Sequence, residues 1–127
     1  MVPASRVSLS RGRALFNDGL FFEAHEVWEE AWLVETGARR RVLQGLIQIA
    51  AALLKAGRAE HPRGSLRLLD AGIEKLENGD TAGNGLAFAA FLSSLRQLRP
   101  SVVAWAEGRS PAPPPDSFPK LGEEGVP

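Results

Sequence analysis

The sequence predicts an all-α protein, a compact bundle of about five helices with a disordered, proline-rich C-terminal tail. Apolar residues recur every three to four positions through most of residues 8–98, which is the period of a helix buried on one face. The period of two that marks a half-buried strand is not found over any useful length, so we expect no sheet. The composition, 44% hydrophobic and 24% charged over 127 residues, is that of one ordinary globular domain.

The first two helices are expected to be separated by a glycine turn. The first helix begins at Ser8 or Ser10, either of which can cap it, and ends at Asp18-Gly19. The second helix runs from about Leu20 to Glu35. At about 100° per residue, six of its residues share one largely apolar face: Phe21, Ala24, His25, Trp28, Ala31 and Trp32.

The third helix is expected to form the centre of the bundle. It runs from about Arg39 to Ala56 and is apolar around most of its circumference, as in a helix buried on most sides. Its one polar stripe contains Gln44 and Gln48. The remaining predictions are a fourth helix at Pro62–Glu77, a fifth at Leu86–Leu98, a stop at Pro100 and a short turn at Ser101–Glu107.

Two helical hairpins can be recognised in this order of helices. The pattern Gly19-x-Phe21-x-Glu23-Ala24 resembles the turn of a tetratricopeptide repeat, and residues 43–76 form a second hairpin. Because repeat arrays need at least three units, we interpret both as tetratricopeptide-like hairpins within a single domain, residues 1–108. Residues 109–127 are proline-rich and have little to bury, which predicts an extended or disordered, flexible tail.

Composition argues against several kinds of function. The 15 basic and 15 acidic side chains balance, which is unlike a dedicated nucleic-acid binder. The absence of cysteine excludes a disulfide framework, a thiolate zinc site and a cysteine nucleophile. Residues 1–15 lack the apolar core of a signal peptide, and the longest apolar run, Val42–Leu54, is too short to span a bilayer. We therefore expect a cytoplasmic protein.

The glycine-rich stretch 79–85 lacks a Walker lysine and a preceding strand, so it is not a phosphate loop.

His25 is the residue best suited to chemistry. It lies on the aromatic face of the second helix, with Glu29 one turn later. The two side chains form either a structural pair or an acid/base or metal-binding pair, since histidine serves both purposes. The pattern His25-Glu26-x-x-Glu29 is similar to the metalloprotease pattern H-E-x-x-H with the second histidine replaced, which makes Glu26 a further candidate ligand. A third ligand is not evident, so no cofactor is predicted and a divalent metal stays an alternative.

Gln44 and Gln48 are uncharged amides one turn apart on a nearly all-apolar helix. If their stripe faces His25 and Glu29, they could complete a buried polar network or line a small ligand pocket together with Trp28 and Trp32. Interhelical hydrogen bonds or a partly wet stripe are the alternative interpretations.

These residues carry a family resemblance. The motifs Phe21-Phe22-Glu23-Ala24-His25-Glu26-Val27-Trp28-Glu29 and Gln44-Gly45-Leu46-Ile47-Gln48 resemble a family of small bacterial and archaeal proteins, the domain of unknown function number three hundred and nine. The resemblance extends over about Leu9 to Leu76. It implies a compact all-helical domain and brings no established activity. The family motif falls on eight positions: Glu23, His25, Glu26, Glu29, Trp32, Gln44, Gly45 and Gln48.

The sequence leads to two hypotheses about function. The first is a non-catalytic interaction or ligand-binding module that takes a protein partner or associates with itself. The second is a small metal-dependent or acid/base hydrolase in which His25 is base or ligand, Glu29 orients it, and the two glutamines position a substrate.

Overall fold

The computed structural model describes residues 4–81 and 85–124, with side chains from residue 7 onward. Three residues of the predicted glycine-rich loop, 82–84, and the last three of the predicted tail lie outside the described residues. The described chain forms five α-helices: α1 at Ala4–Asn17, α2 at Phe21–Val34, α3 at Arg39–Gly57, α4 at Pro62–Asn78 and α5 at Phe88–Ala106. The all-α prediction is confirmed, because the only strand-like pairing in these residues is a single bridge between Leu86 and Glu123.

The helices pack chiefly in sequence order, each against the next. As predicted, α3 is central, since it packs on both α2 and α4 and buries residues on several sides. The bundle is closed by aromatic contacts between α1 and α5, where the rings of Phe16 and Phe91 lie 5.6 Å apart. Edge-to-face contact of this kind adds to the stabilisation from apolar burial alone. Among the described helices, none combines the length and the apolar character that crossing a bilayer requires.

Two glycines bring α3 and α4 into close contact. A Cβ atom at Gly72 would lie 2.8 Å from the carbonyl oxygen of Gly45, which is closer than real Cβ atoms approach backbone. Both positions are buried in the interface. The face of α3 that carries Gly45 therefore packs against α4.

The fifth helix is longer than the sequence predicted. The expected stop at Pro100 is wrong, because α5 continues through it to Ala106, and the short turn expected at 101–107 is part of the same helix. The helix is held on α4 by Arg99, whose Nε donates to Asp70 Oδ1 at 2.6 Å. That hydrogen bond and the opposite charge of Asp70 raise the pKa of the Arg99 guanidinium.

The proline-rich tail comes after α5 and has one turn of 3-10 helix at Pro115–Ser117. The prediction that it has little to bury is corrected at three positions, since Pro113 is buried, Phe118 is 9% exposed and Leu121 is 0% exposed. The side chains of Phe118 and Leu121 belong to the main apolar core. Residues 118–124, the docked segment, therefore lie against the helices, because burial of two large apolar groups offsets the loss of chain entropy.

Candidate functional site

The predicted pair of His25 and Glu29 forms on the surface of α2. His25 Nδ1 lies 3.4 Å from Glu29 Oε2, and the two side chains are 30% and 47% exposed. One helical turn separates them, so the helix geometry alone brings them together. Solvent reaches both groups. The pair is therefore an exposed i,i+4 interaction, of a kind that contributes at most about 0.5 kcal/mol to stability.

The tryptophans of the same helix have two different surroundings. Trp28 is fully buried, and its indole nitrogen donates to the Leu9 carbonyl of α1 at 3.4 Å. Trp32 is partly exposed, and the guanidinium carbon of Arg40 lies 4.1 Å from its ring centroid. A cation over an indole face is attracted by the ring's quadrupole. Trp28 thus fixes α2 on α1, while Trp32 holds the start of α3.

The two glutamines of α3 do not join His25 and Glu29. Neither glutamine hydrogen-bonds to that pair among the described residues, and the buried Oε1 of Gln48 has no hydrogen-bond partner there. Gln44 lines a groove of about 450 Å³ between the start of α3 and the end of α4, together with Arg40, Arg41, Asn78 and Asp80. The candidate ligand-binding residues therefore do not line one common pocket.

The candidate metal ligands are spread out in the same way. Within the described residues, no group of three or more His, Asp or Glu side chains is placed to hold an ion. Glu26 is exposed on the solvent side of α2 and has no ion pair with any described residue. His25 and Glu29 would provide two ligands, and the remaining positions would have to come from water or substrate.

A second arrangement, absent from the sequence prediction, lies where the docked segment meets α1. Asn17 binds both backbone groups of Leu121: its Nδ2 donates to the Leu121 carbonyl at 2.9 Å, and the Leu121 N–H donates to its Oδ1 at 2.8 Å. Arg13, one turn earlier on α1, donates from Nε to the same carbonyl at 2.7 Å. An amide side chain that pairs with both the N–H and the carbonyl of one residue takes the place of a partner strand in a sheet.

Backbone pairing continues beyond Leu121. The Ala87 N–H donates to the Gly122 carbonyl at 2.9 Å, and the Glu124 N–H donates to the Gly85 carbonyl at 2.9 Å. Arg13 Nη1 also lies 3.4 Å from Glu123 Oε1. The docked segment is therefore held in extended form between α1 on one side and residues 85–87 on the other, as in strand addition to an open edge.

Apolar contacts position the side chains of the docked segment. The ring of Phe118 lies 5.8 Å from that of Phe21 at the start of α2, and its Cε2 would lie 3.8 Å from a Cβ atom placed on Gly57 at the end of α3. Leu121, three residues later, is fully buried. We call the surface formed by Arg13, Asn17, Phe21, Gly57 and residues 85–87 the tail groove.

Only a weak signal for this groove is present in the sequence. Asn17 is interpreted there as the end of a helix, and Phe118 and Leu121 stand alone in a proline-rich stretch with no helical or strand period. The one hint is the spacing of two large apolar residues, with a charged side chain between them, far from any other apolar run. Such a pair is too short to predict a partner surface.

The fold and the tail groove together define a small all-helical domain that holds an extended chain segment across α1 and the start of α2. The model of a family described as a domain of unknown function, DUF309, matches residues 9–68, and over these residues the chain is similar to that family. The match covers α2 and α3 completely, and the predicted resemblance is confirmed. The comparison with curated proteins finds no match.

Proposed function

We propose that this protein is a non-catalytic interaction module that binds an extended segment of a partner protein in the tail groove. The observation that carries the proposal is the recognition of Leu121 by Asn17, which bonds to both its N–H and its carbonyl. These bonds involve backbone atoms, so they suit any extended peptide. The surroundings of the side chains then supply the selectivity, as in other strand-addition sites.

The side chains of the docked segment define the chemistry of the partner. Phe118 and Leu121 are buried against the helices, Lys120 is exposed between them, and Glu123 faces Arg13. The matching ligand is an extended peptide with an aromatic residue, an aliphatic residue three positions later and an acidic residue two positions after that. Burial of each large apolar side chain contributes about 1.5–3 kcal/mol.

The position of the groove within the chain also supports this proposal. Arg13, Asn17, Phe21 and Gly57 all lie within residues 9–68, the part that the DUF309 family model matches. The docked segment lies outside that range. The receptor surface thus comes largely from the family domain, while its present occupant comes from a separate stretch of this chain.

Peptide exchange after cleavage between α5 and the docked segment tests the proposal. A recognition site for a sequence-specific protease is inserted after Ser110, which is exposed, so the folded protein can be cut in place. A fluorescein-labelled peptide with the sequence of residues 111–124 is then added. We expect its fluorescence anisotropy to rise as it replaces the cut segment, and an excess of unlabelled peptide to reverse the rise.

Variant peptides serve as matched controls. The Phe118→Ala and Leu121→Ala substitutions should each weaken binding about tenfold or more, because each removes a buried group. The Lys120→Ala peptide should bind within about twofold of the parent, because that side chain is exposed and has no ion pair with a described residue. The proposal fails if the cut segment leaves and the labelled peptide does not bind, or if the alanine peptides bind as well as the parent.

A small hydrolase that uses His25 and Glu29 is the alternative proposal. Its support is the 3.4 Å contact between His25 Nδ1 and Glu29 Oε2 at a surface that solvent reaches. The test compares zinc binding by calorimetry and ester hydrolysis for the parent, His25→Ala and Glu29→Gln. On the interaction-module proposal, both variants unfold within about 0.5 kcal/mol of the parent, because the pair is exposed.

Binding or turnover that the parent has and both folded variants lose would support the hydrolase. If the variants match the parent in every assay, the alternative is eliminated. Neither variant touches the tail groove, so peptide exchange with the cleaved protein should be unchanged in both.

A further inference from the structure

A separate groove of about 420 Å³ lies where α3 ends and α4 begins, and its lining is basic. Its charged and titratable lining residues are Lys55, His61, Arg63 and Arg67, completed by Pro62, Gly64 and Ala106. Among the described residues, none that lines this groove carries a carboxylate. Lysine and arginine side chains are donors with no acceptor, so the groove presents hydrogen-bond donors of one charge sign. We call it the basic groove.

The cations of the basic groove differ from several other cations of the protein in their ion pairing. Elsewhere the guanidinium groups of Arg41, Arg96 and Arg99 lie 3.0, 2.9 and 2.6 Å from carboxylate oxygens. By contrast, the lysine and both arginines of the basic groove make no ion pair with any residue that the structure describes. Arg63 and Arg67 are exposed and Lys55 is half-buried, so water screens their repulsion in part, and an anionic ligand would offset what remains.

The backbone of the intervening turn brings these side chains together. Ala59 and His61 both have left-handed backbone angles, with φ of 53° and 54°. Such angles are unfavourable for residues with a Cβ atom, so the surrounding structure must hold them. The turn sets α4 against the last turns of α3, where a Cβ at Gly64 would lie 3.8 Å from the Lys55 stem and 3.7 Å from His61 Cβ.

The first turn of α4 adds to the positive electrostatic potential of the basic groove. Among the described residues, no side chain caps this helix. Pro62 has no N–H, so the N–H groups of Arg63 and Gly64 are the ones without an intrahelical acceptor, and the helix dipole is positive at that end. The side chains form the groove, and the helix start reinforces the preference for an anion.

We propose that the basic groove binds a small molecule that carries a phosphate group. Two arginine forks and a lysine ammonium are the side chains that bind phosphate oxygens most effectively. Several cations around one space match a multiply charged group better than a single carboxylate. The volume of about 420 Å³ falls within the range of small-molecule sites. Among the described residues, the basic groove shares no lining residue with the tail groove.

Nuclear magnetic resonance of the full-length 15N-labelled protein tests this site with inorganic phosphate and pyrophosphate as probes. We expect saturable amide shifts centred on residues 55–67, with pyrophosphate tighter than phosphate because it carries more charge. Sodium chloride at the same ionic strength should not reproduce them. Lys55→Gln and Arg67→Gln should each weaken pyrophosphate binding about tenfold, since each removes a charge-assisted hydrogen bond.

Arg58→Gln is the matched control, because Arg58 is exposed in the same turn and does not line the groove. It removes the same charge and should change the affinity by no more than about twofold. Unchanged amide shifts across the rest of each variant's spectrum will verify its fold. The proposal is overturned if pyrophosphate causes no saturable shifts, if the shifts spread over all basic residues, or if Arg58→Gln weakens binding as much as Arg67→Gln.

Discussion

At the scale of single residues, Gly12 makes the contact between α1 and α2 possible. A Cβ atom at Gly12 would lie 2.1 Å from Nε1 of Trp28 and 2.4 Å from its Cε2. The indole is fully buried and cannot move aside. We predict that Gly12→Ala lowers the free energy of unfolding by about 3 kcal/mol, at the upper end for overpacked cores, as measured by urea denaturation.

Gly64→Ala is the control for this prediction. The nearest atoms to its new Cβ would be 3.7–3.8 Å away, an ordinary contact distance. Replacing a helical glycine where the new Cβ causes no clash gains up to about 1 kcal/mol through lower backbone entropy in the unfolded chain. If Gly12→Ala is no more destabilising than Gly64→Ala, the packing of Trp28 against α1 is not as described.

At the scale of elements, α5 continues through a proline because its last turns bury large side chains. A proline inside a helix removes one hydrogen bond and costs about 3 kcal/mol. Beyond Pro100, the continued helix buries the side chains of Val102 and Trp105, and each burial stabilises the fold by about 1.5–3 kcal/mol. Pro100 itself is exposed, so its ring displaces no core atom. The free energy gained from this burial exceeds the local cost of the proline. A sequence rule that ends helices at proline considers only the local cost.

At the scale of the whole molecule, the docked segment offers a test of the fold. The Cβ of Ala87 lies 4.0 Å from the position of a Cβ at Gly122, which is within disulfide range. The chain has no native cysteine, so Ala87→Cys/Gly122→Cys can form only one bridge within a molecule. We predict that the oxidised variant is about 2–4 kcal/mol more stable than its reduced form.

Thermal unfolding with and without reductant measures this gain, and a thiol assay verifies that the bridge has closed. Thiols that stay free in the folded, oxidised protein would contradict the described position of residues 118–124. An intermolecular bridge, seen as a dimer on a non-reducing gel, would mean that the segment of one copy occupies the groove of another.

How much of the fold and the site could be predicted from sequence depends on whether a feature is periodic. The five helices and the inward face of α2 result from regular spacing, which local physics enforces. Periodicity assigns a residue to a face and does not identify its neighbour. Gln44 and Gln48 share a stripe, yet Gln44 lines a groove at the end of α4 that contains neither His25 nor Glu29. The burial of the two large apolar residues in the docked segment depends on residues about a hundred positions away.

That separation has a kinetic consequence. Leu121 contacts Asn17 and Arg13 across 104 and 108 residues, whereas the helices pack chiefly against their sequence neighbours. Contacts between neighbours close small loops and form early, so the docked segment joins a bundle that is already assembled. By the same reasoning it opens before the helices do, at a free energy below that of global unfolding. The frequency of these openings sets an upper limit on how fast any partner can reach Asn17.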